Sequence, residues 1–437
     1  MQRMADYISV DDGLVDCEVY SAAVYERELE SVFGRSWLFL GHEGQLVRRG
    51  DYVTTWMGET PVIVLRSMDD VVRAYLNTCA TRQVTLLPYD AGHAEVIVCP
   101  AHRLGHDTTG SPVSGQAVEP GHECLVPVAR VETYGKLIFG CLSDDGPTLR
   151  ESLGDATWYL DNYLLRENIG GLQLVPGVQR YTMPGNWKLL AENFAGDDYH
   201  VAITHASVLA VRAQGIEPRL NNSPGKGVGA NLSVATGFQT GVPHGFLEVR
   251  IGEEFFEHDL MRAQSIGPEA AEWVRTRRDA VDQNLPDLAV KPYSFHVANL
   301  FPTLSIIGNG TSMEAVGLLV WHPRGPHQTS VTQLCLVDAG APPALQRQMV
   351  WALTHQQSAA GVFAPDDHEN FERLAENTRT FEARRVPFNY EMGLSGEGVD
   401  VRPPEWQDPR WPGLVLPRFT EMIQRDFYRY WRSLMDR

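Results

Sequence analysis

Apolar residues recur at helical intervals along residues 21–37, which predicts an amphipathic helix. The period then changes. Short runs rich in β-branched and aromatic residues, at 61–65, 71–75, 96–98 and 136–139, are punctuated by Gly, Asp and Pro. They predict a small all-β module. Further on, helical spacing covers 149–166, 185–210, 346–371 and 418–435, with strand-like runs between 293 and 337. Residues 225–245 are rich in Gly, Ser, Asn and Thr and read as loops near a pocket. The predicted class is α+β. A small β domain spans 38–148, and a larger domain with helices packed on a mainly antiparallel sheet spans 149–437. Residues 1–37 form an N-terminal helical part of that larger domain.

Composition narrows this picture. A chain of 437 residues is too long for one ordinary core, and 43% hydrophobic with 21% charged content is that of a globular protein. The net charge of -18 argues against nucleic acid as a partner, because phosphate binding needs a basic face. No apolar run reaches about 18 residues, and the polar N-terminus has no signal core, so the expectation is no membrane span and a cytoplasmic location. Six cysteines in this length make no disulfide framework.

The chemistry concentrates in one run, Glu192-Asn193-Phe194-Ala195-Gly196-Asp197-Asp198-Tyr199-His200, followed five residues on by His205. Five residues of regular helix turn through about 500°, leaving the two imidazoles roughly 140° apart. They can share one ion if a π-type bulge distorts the helix or if His205 lies past its end. Asp197, three before His200, is placed to orient that ring. A carboxylate is available far downstream in Pro365-Asp366-Asp367-His368, where Asp367 would complete the set. Two imidazoles and one carboxylate hold Fe(II) while leaving coordination positions open.

The spelling Glu-Asn-Phe-x-Gly-Asp-x-Tyr-His, then His205, closely resembles the catalytic signature of Rieske-type aromatic ring-hydroxylating oxygenases, large (α) subunit. Gly50-Asp51-Tyr52, Tyr75-Leu76-Asn77-Thr78-Cys79, Cys99-Pro100-Ala101-His102, Pro184-Gly185-Asn186-Trp187-Lys188 and Phe427-Tyr428-Arg429 follow in family order. The resemblance implies a Rieske-like β domain and a catalytic domain. It implies His200, His205 and Asp367 as iron ligands, and Asp197 as an acid bridging to the cluster of a neighbouring subunit. Asn193 resembles a polar residue near the open coordination face.

At the cluster site the pattern departs from the family's Cys-x-His and Cys-x-x-His. Cys79 and Cys99-Pro100-Ala101-His102 are present, but Thr81 stands where a histidine belongs and Gln83 where a glycine belongs. The aromatic residues expected after His102 are absent. A Rieske centre uses two cysteines and two histidines, so these departures argue against a normal 2Fe-2S cluster. The expected function is a mononuclear Fe(II) oxygenase acting with O2 on an aromatic or cyclic apolar substrate, lacking a normal cluster. One alternative is a conventional Rieske dioxygenase in which His93, His106 or another group replaces the missing ligand. The other is a non-catalytic α-like partner subunit. The resemblance further implies a homo-trimer, an α3β3 assembly with a small β subunit, or a mixed α-type trimer. Phe194, Val201, His296, Asn299, Leu304 and Phe363 are the expected pocket residues.

Overall fold

The larger part of the chain is built on one antiparallel sheet whose central strands are buried on both faces. The computed structural model describes residues 8–9, 11–80, 82–113, 125–213, 231–236, 241–251, 253–288, 291–308, 313–396, 398–417 and 419–437. The chain divides into two compact units, Met1–Tyr25 with Glu151–Arg437, and Glu26–Arg150. The first boundary therefore falls after Tyr25 rather than at residue 37, and helix Ala22–Ser31 straddles it.

Apart from that helix and short helical pieces at Glu43–Gln45 and from Leu149, the described residues of the smaller unit are strands and loops. Strand Leu137–Cys141 sits between Arg130–Tyr134 and Leu38–His42 in a three-stranded sheet. A four-stranded sheet runs in the order Val72–Leu76, Thr60–Arg66, Asp51–Met57, Ala91–His93. The short pair Val96–Val98 and Gly105–Asp107 completes it. Cys79 and Cys99 belong to a buried cluster with Tyr52, Ile63, Tyr75 and Ile97.

In the larger unit ten strands form one sheet, all neighbours antiparallel. Its spine is the hairpin of Val316–Pro323 with the eleven-residue strand Gln328–Asp338. Every residue of Val316–Pro323 is buried, as expected of a strand covered on both faces. Helix Trp187–Gly196 lies on the sheet. Asn186 caps it, its side chain accepting from the Lys188 N–H. Two glycines let this helix seat closely. A Cβ on Gly245 of the sheet would fall 1.9 Å from the Ala195 carbonyl oxygen. A Cβ on Gly196 would fall 2.9 Å from Ile423 Cβ of the C-terminal helix Met422–Met435.

Three sequence expectations are corrected. Residues 185–210 are not one helix: Trp187–Gly196 ends, and Val201–Thr204 and Ala206–Ala213 follow separately. Residues 346–371 form two helices, Pro343–Gln357 and Ala364–Asn377, parted by a turn containing Gly361. Within 225–245, Asn231–Thr236 is a strand of the main sheet and another strand begins at His244. Residues 225–230 and 237–240 lie outside the described residues.

Candidate metal centres

The break after Gly196 solves the geometric problem of two histidines five apart. His200 precedes the single turn Val201–Thr204 and His205 follows it, so each sits at an end of that turn. No π bulge is needed. Helix Ala364–Asn377 faces them with Asp366 and Asp367 in its first turn. Asp367 Oδ1 lies 3.4 Å from His200 Nε2 and 3.2 Å from His205 Nε2. One donor atom from each of the three residues lies within 4.8 Å of the others.

The outward ring nitrogens are also occupied. His200 Nδ1 is 2.9 Å from Asp197 Oδ1, and His205 Nδ1 is 3.2 Å from Asp366 Oδ2. Each imidazole is thus oriented by its own carboxylate, leaving both Nε2 atoms turned toward Asp367. This is the backing that metal-bound histidines use. Asp197 Oδ1 also accepts from the His200 N–H, and Asn193 Nδ2 stands 3.5 Å from Asp197 Oδ2 and from His200 Nδ1. Asn370 Nδ2 donates to Thr204 Oγ1, and Phe363 packs edge-on against His205, so the two segments that carry the candidate ligands are tied together.

The site carries surplus negative charge. Burial lowers the His200 pKa, but hydrogen bonds to Asp197 and Asp367 and their charges outweigh it and raise it to about 10. Burial raises Asp367, yet both histidines hold its carboxyl below the ordinary range. Three carboxylates around two imidazoles favour a bound cation. The donor set of two nitrogens and one oxygen fits Fe(II).

A cleft enclosing about 850 Å³, part of it open to solvent, adjoins this cluster. Phe194, Val201, His296 and Phe363 line it, but Asn299 and Leu304 do not. Asn299 is wholly buried, its Oδ1 accepting from Ser305 Oγ, and Leu304 is sheet core. The cleft is lined instead by Val297 and by its register partners on either side, Leu247 and Ile307. These were missed because only strand pairing brings them together. Gln356 and Gln357, also on the cleft, end helix Pro343–Gln357.

In the smaller unit Cys79, Cys99 and His102 come together, their donor atoms again within 4.8 Å of one another. His102 Nδ1 is 2.9 Å from Cys99 Sγ and its Nε2 3.7 Å from Cys79 Sγ. The two cysteine loops are built alike. In each, the cysteine N–H bonds the carbonyl five residues on (Val84, Leu104), and its carbonyl accepts from the N–H four on (Gln83, Arg103). Gln83 and Arg103 both adopt left-handed backbone, φ 55 and 59. Thr81 lies outside the described residues. Neither suggested substitute joins this group: His93 Nδ1 is 3.2 Å from Asp51 Oδ1, and His106 sits in strand Gly105–Asp107. Two thiolate sulfurs and an imidazole are three of the four donors a Rieske centre uses.

Comparison with known proteins agrees over nearly the whole chain. Residues 151–437 match the family described as ring hydroxylating alpha subunit, catalytic domain, and residues 36–134 match the Rieske 2Fe-2S domain. The doubt about a 2Fe-2S cluster in the small domain is therefore not borne out. The biphenyl 2,3-dioxygenase α subunit of Rhodococcus jostii is 34% identical, covering 99% of this chain and 91% of that protein. The chlorobenzene dioxygenase α subunit of a Cupriavidus species is 35% identical, covering 97% and 91%. A naphthalene 1,2-dioxygenase with indole bound in the active site superposes with a TM-score of 0.81 at 28% identity, covering 100% of this chain and 94% of that one. No helix among the described residues is long and apolar enough to cross a membrane. The chain belongs to the family of aromatic ring-hydroxylating dioxygenase α subunits, non-haem iron oxidoreductases with a Rieske domain.

Proposed function

We propose that this chain is the oxygenase subunit of a multicomponent aromatic-ring dioxygenase, with His200, His205 and Asp367 holding Fe(II). The observation that carries this reading is the convergence of those three side chains at a cleft partly walled by apolar residues, Phe194, Val201, Leu247 and Phe363 among them. Iron bound there supplies the activation of O2 toward the ring. The chain's own residues do the rest. Asp197 and Asp366 fix the two imidazoles, and Asn193 offers an amide beside His200. Phe194, Val201 and Phe363 exclude water and hold an aromatic or cyclic apolar ring. Asp197 is the bridging acid toward a neighbouring chain's cluster, and a three-fold assembly, with or without a small β subunit, supplies that neighbour. In the Rieske domain Cys79, Cys99 and His102 are the protein donors for a 2Fe-2S cluster, with a fourth ligand that is not the usual histidine.

Anaerobic purification followed by iron and acid-labile sulfide analysis tests both centres. The expected result is about three irons and two sulfides per chain, with a Rieske-type visible spectrum. Chelation should remove one iron and abolish O2-dependent product, and Fe(II) should restore it. Iron without sulfide would remove the cluster from this reading. Sulfide with no product on any aromatic hydrocarbon after Fe(II) loading would remove the oxygenase assignment.

A further inference from the structure

His296 is a polar side chain at the cleft with no hydrogen-bond partner for its ring among the described residues. Its backbone is pinned: the N–H bonds the Leu247 carbonyl at 3.1 Å, and its carbonyl accepts from the Gly308 N–H at 3.1 Å. The ring lines the cleft while Nδ1 is shut inside the protein unpaired. An enclosed N–H without an acceptor is costly, and an enclosed lone pair is the lesser penalty. With Nδ1 enclosed and unpaired, Nε2–H is the donor the ring presents to the cleft. Leu247, Val297 and Ile307 line the cleft with it and are apolar, and the polar residues of the cleft, Gln356 and Gln357 among them, make no hydrogen bond to this nitrogen. A bare hydrocarbon filling the cleft would cut Nε2–H off from water and leave it unpaired.

The same cleft is walled by Asp197, Asp198 and Asp367. Such a wall disfavours an anionic ligand group. We infer that His296 anchors the substrate, and that the substrate class is arenes carrying a neutral oxygen acceptor, such as a carbonyl, ether or hydroxyl. This rests on the oxygenase reading above and specifies the orientation of its substrate: the oxygen substituent points to Nε2 of His296. His296 is thereby a specificity-determining residue, with no part in holding the metal.

The test uses acetophenone and ethylbenzene, which have nearly the same shape and differ by one carbonyl. Their dissociation constants are measured by calorimetric titration of the anaerobic iron-loaded protein, wild type and His296→Leu. One neutral hydrogen bond contributes roughly 0.5–1.5 kcal/mol, a factor of about 2–12. The acetophenone preference of the wild type should exceed that of His296→Leu by about 5-fold, while ethylbenzene affinity stays within about 2-fold. His296→Gln, which keeps an N–H donor, should retain part of the preference and serves if the leucine variant misfolds. An unchanged preference in both variants overturns the anchor. O2-dependent turnover of ethylbenzene separates the two readings. Turnover with no His296-dependent preference sinks this inference alone, whereas no product from these two compounds or from any other aromatic hydrocarbon after Fe(II) loading sinks the oxygenase reading with it.

Discussion

Gly245→Ala tests whether the sheet positions the iron site through helix Trp187–Gly196. The added Cβ would stand 1.9 Å from the Ala195 carbonyl oxygen and 2.7 Å from its carbonyl carbon. A relaxed C···O contact needs about 3.3 Å, so the helix must move by roughly 1.4 Å. Both atoms on the helix side are backbone, and no rotamer change relieves them. Recoil is blocked as well, because a Cβ at Gly196 would already be 2.9 Å from Ile423 Cβ. Overpacking of this kind costs about 1–3 kcal/mol, and a clash between two backbones belongs at the upper end. For a unit of this size that is a fall in Tm of roughly 6 °C. Asn193 and Asp197 ride on the end of the shifted helix, and a 1 Å misplacement costs about 10²-fold in rate. Calorimetry, iron content and turnover on one substrate read the three effects. Gly396→Ala is the control, since nothing lies within 4 Å of a Cβ there. If Gly245→Ala melts within about 1 °C of wild type and turns over normally, the helix is not seated by that contact and the reasoning fails.

Asp366→Asn leaves His200, His205 and Asp367 in place but weakens the carboxylate partner 3.2 Å from His205 Nδ1. Iron affinity by chelator competition should fall about 10-fold, and equal affinity would take Asp366 out of the site. Gln83→Gly relieves a left-handed backbone at φ 55 and should stabilise the smaller unit by roughly 1 kcal/mol in urea unfolding, whereas a loss would show that the Gln83 side chain is needed. His244 is held down to about 4 by burial, its Nδ1 accepting from the Phe301 N–H and its Nε2 donating to the Ser152 carbonyl. A folded pKa below the ordinary 6.5 makes this contribution complete above pH 6.5. It is lost as pH falls toward 4, by about 3 kcal/mol. Urea titrations from pH 8 to 4 should show that slope in wild type and a shallower one in His244→Gln; parallel slopes would refute it.

The candidate ligands were legible because they lie in short, dense runs of chemistry-bearing residues. Their geometry was not, and the reason is tertiary. Nothing between Asp197 and Tyr199 is a strong helix breaker, so a helical pattern over 185–210 continued straight through the break. Gly196 is the one local stop signal there, and it also meets the C-terminal helix more than 220 residues away in sequence, a contact no local pattern carries. Residues 346–371 differ. Gly361 and Pro365 are local stop and start signals, and the split into two helices was readable there. The cleft failed for a third reason. Asn299 stands two positions from Val297 on one strand and Leu304 three from Ile307 on the next, and register comes from pairing, not from either strand alone.

The Asp366-Asp367 pair shows how far residue-level reasoning reaches once the backbone is known. Consecutive positions on a helix point about 100° apart, so both carboxylates cannot face one ion. One must turn away, and whatever it meets decides its use. Here Asp367 faces both Nε2 atoms and Asp366 meets His205 Nδ1. Asp197 does the same for His200 from the other segment. The two imidazoles are therefore each gripped from behind by a carboxylate on a different element. Any motion separating the two segments loosens His205 before it loosens His200. Asp366→Asn and Asp197→Asn should therefore not be equivalent. The first weakens a link between segments, and the second a link within one.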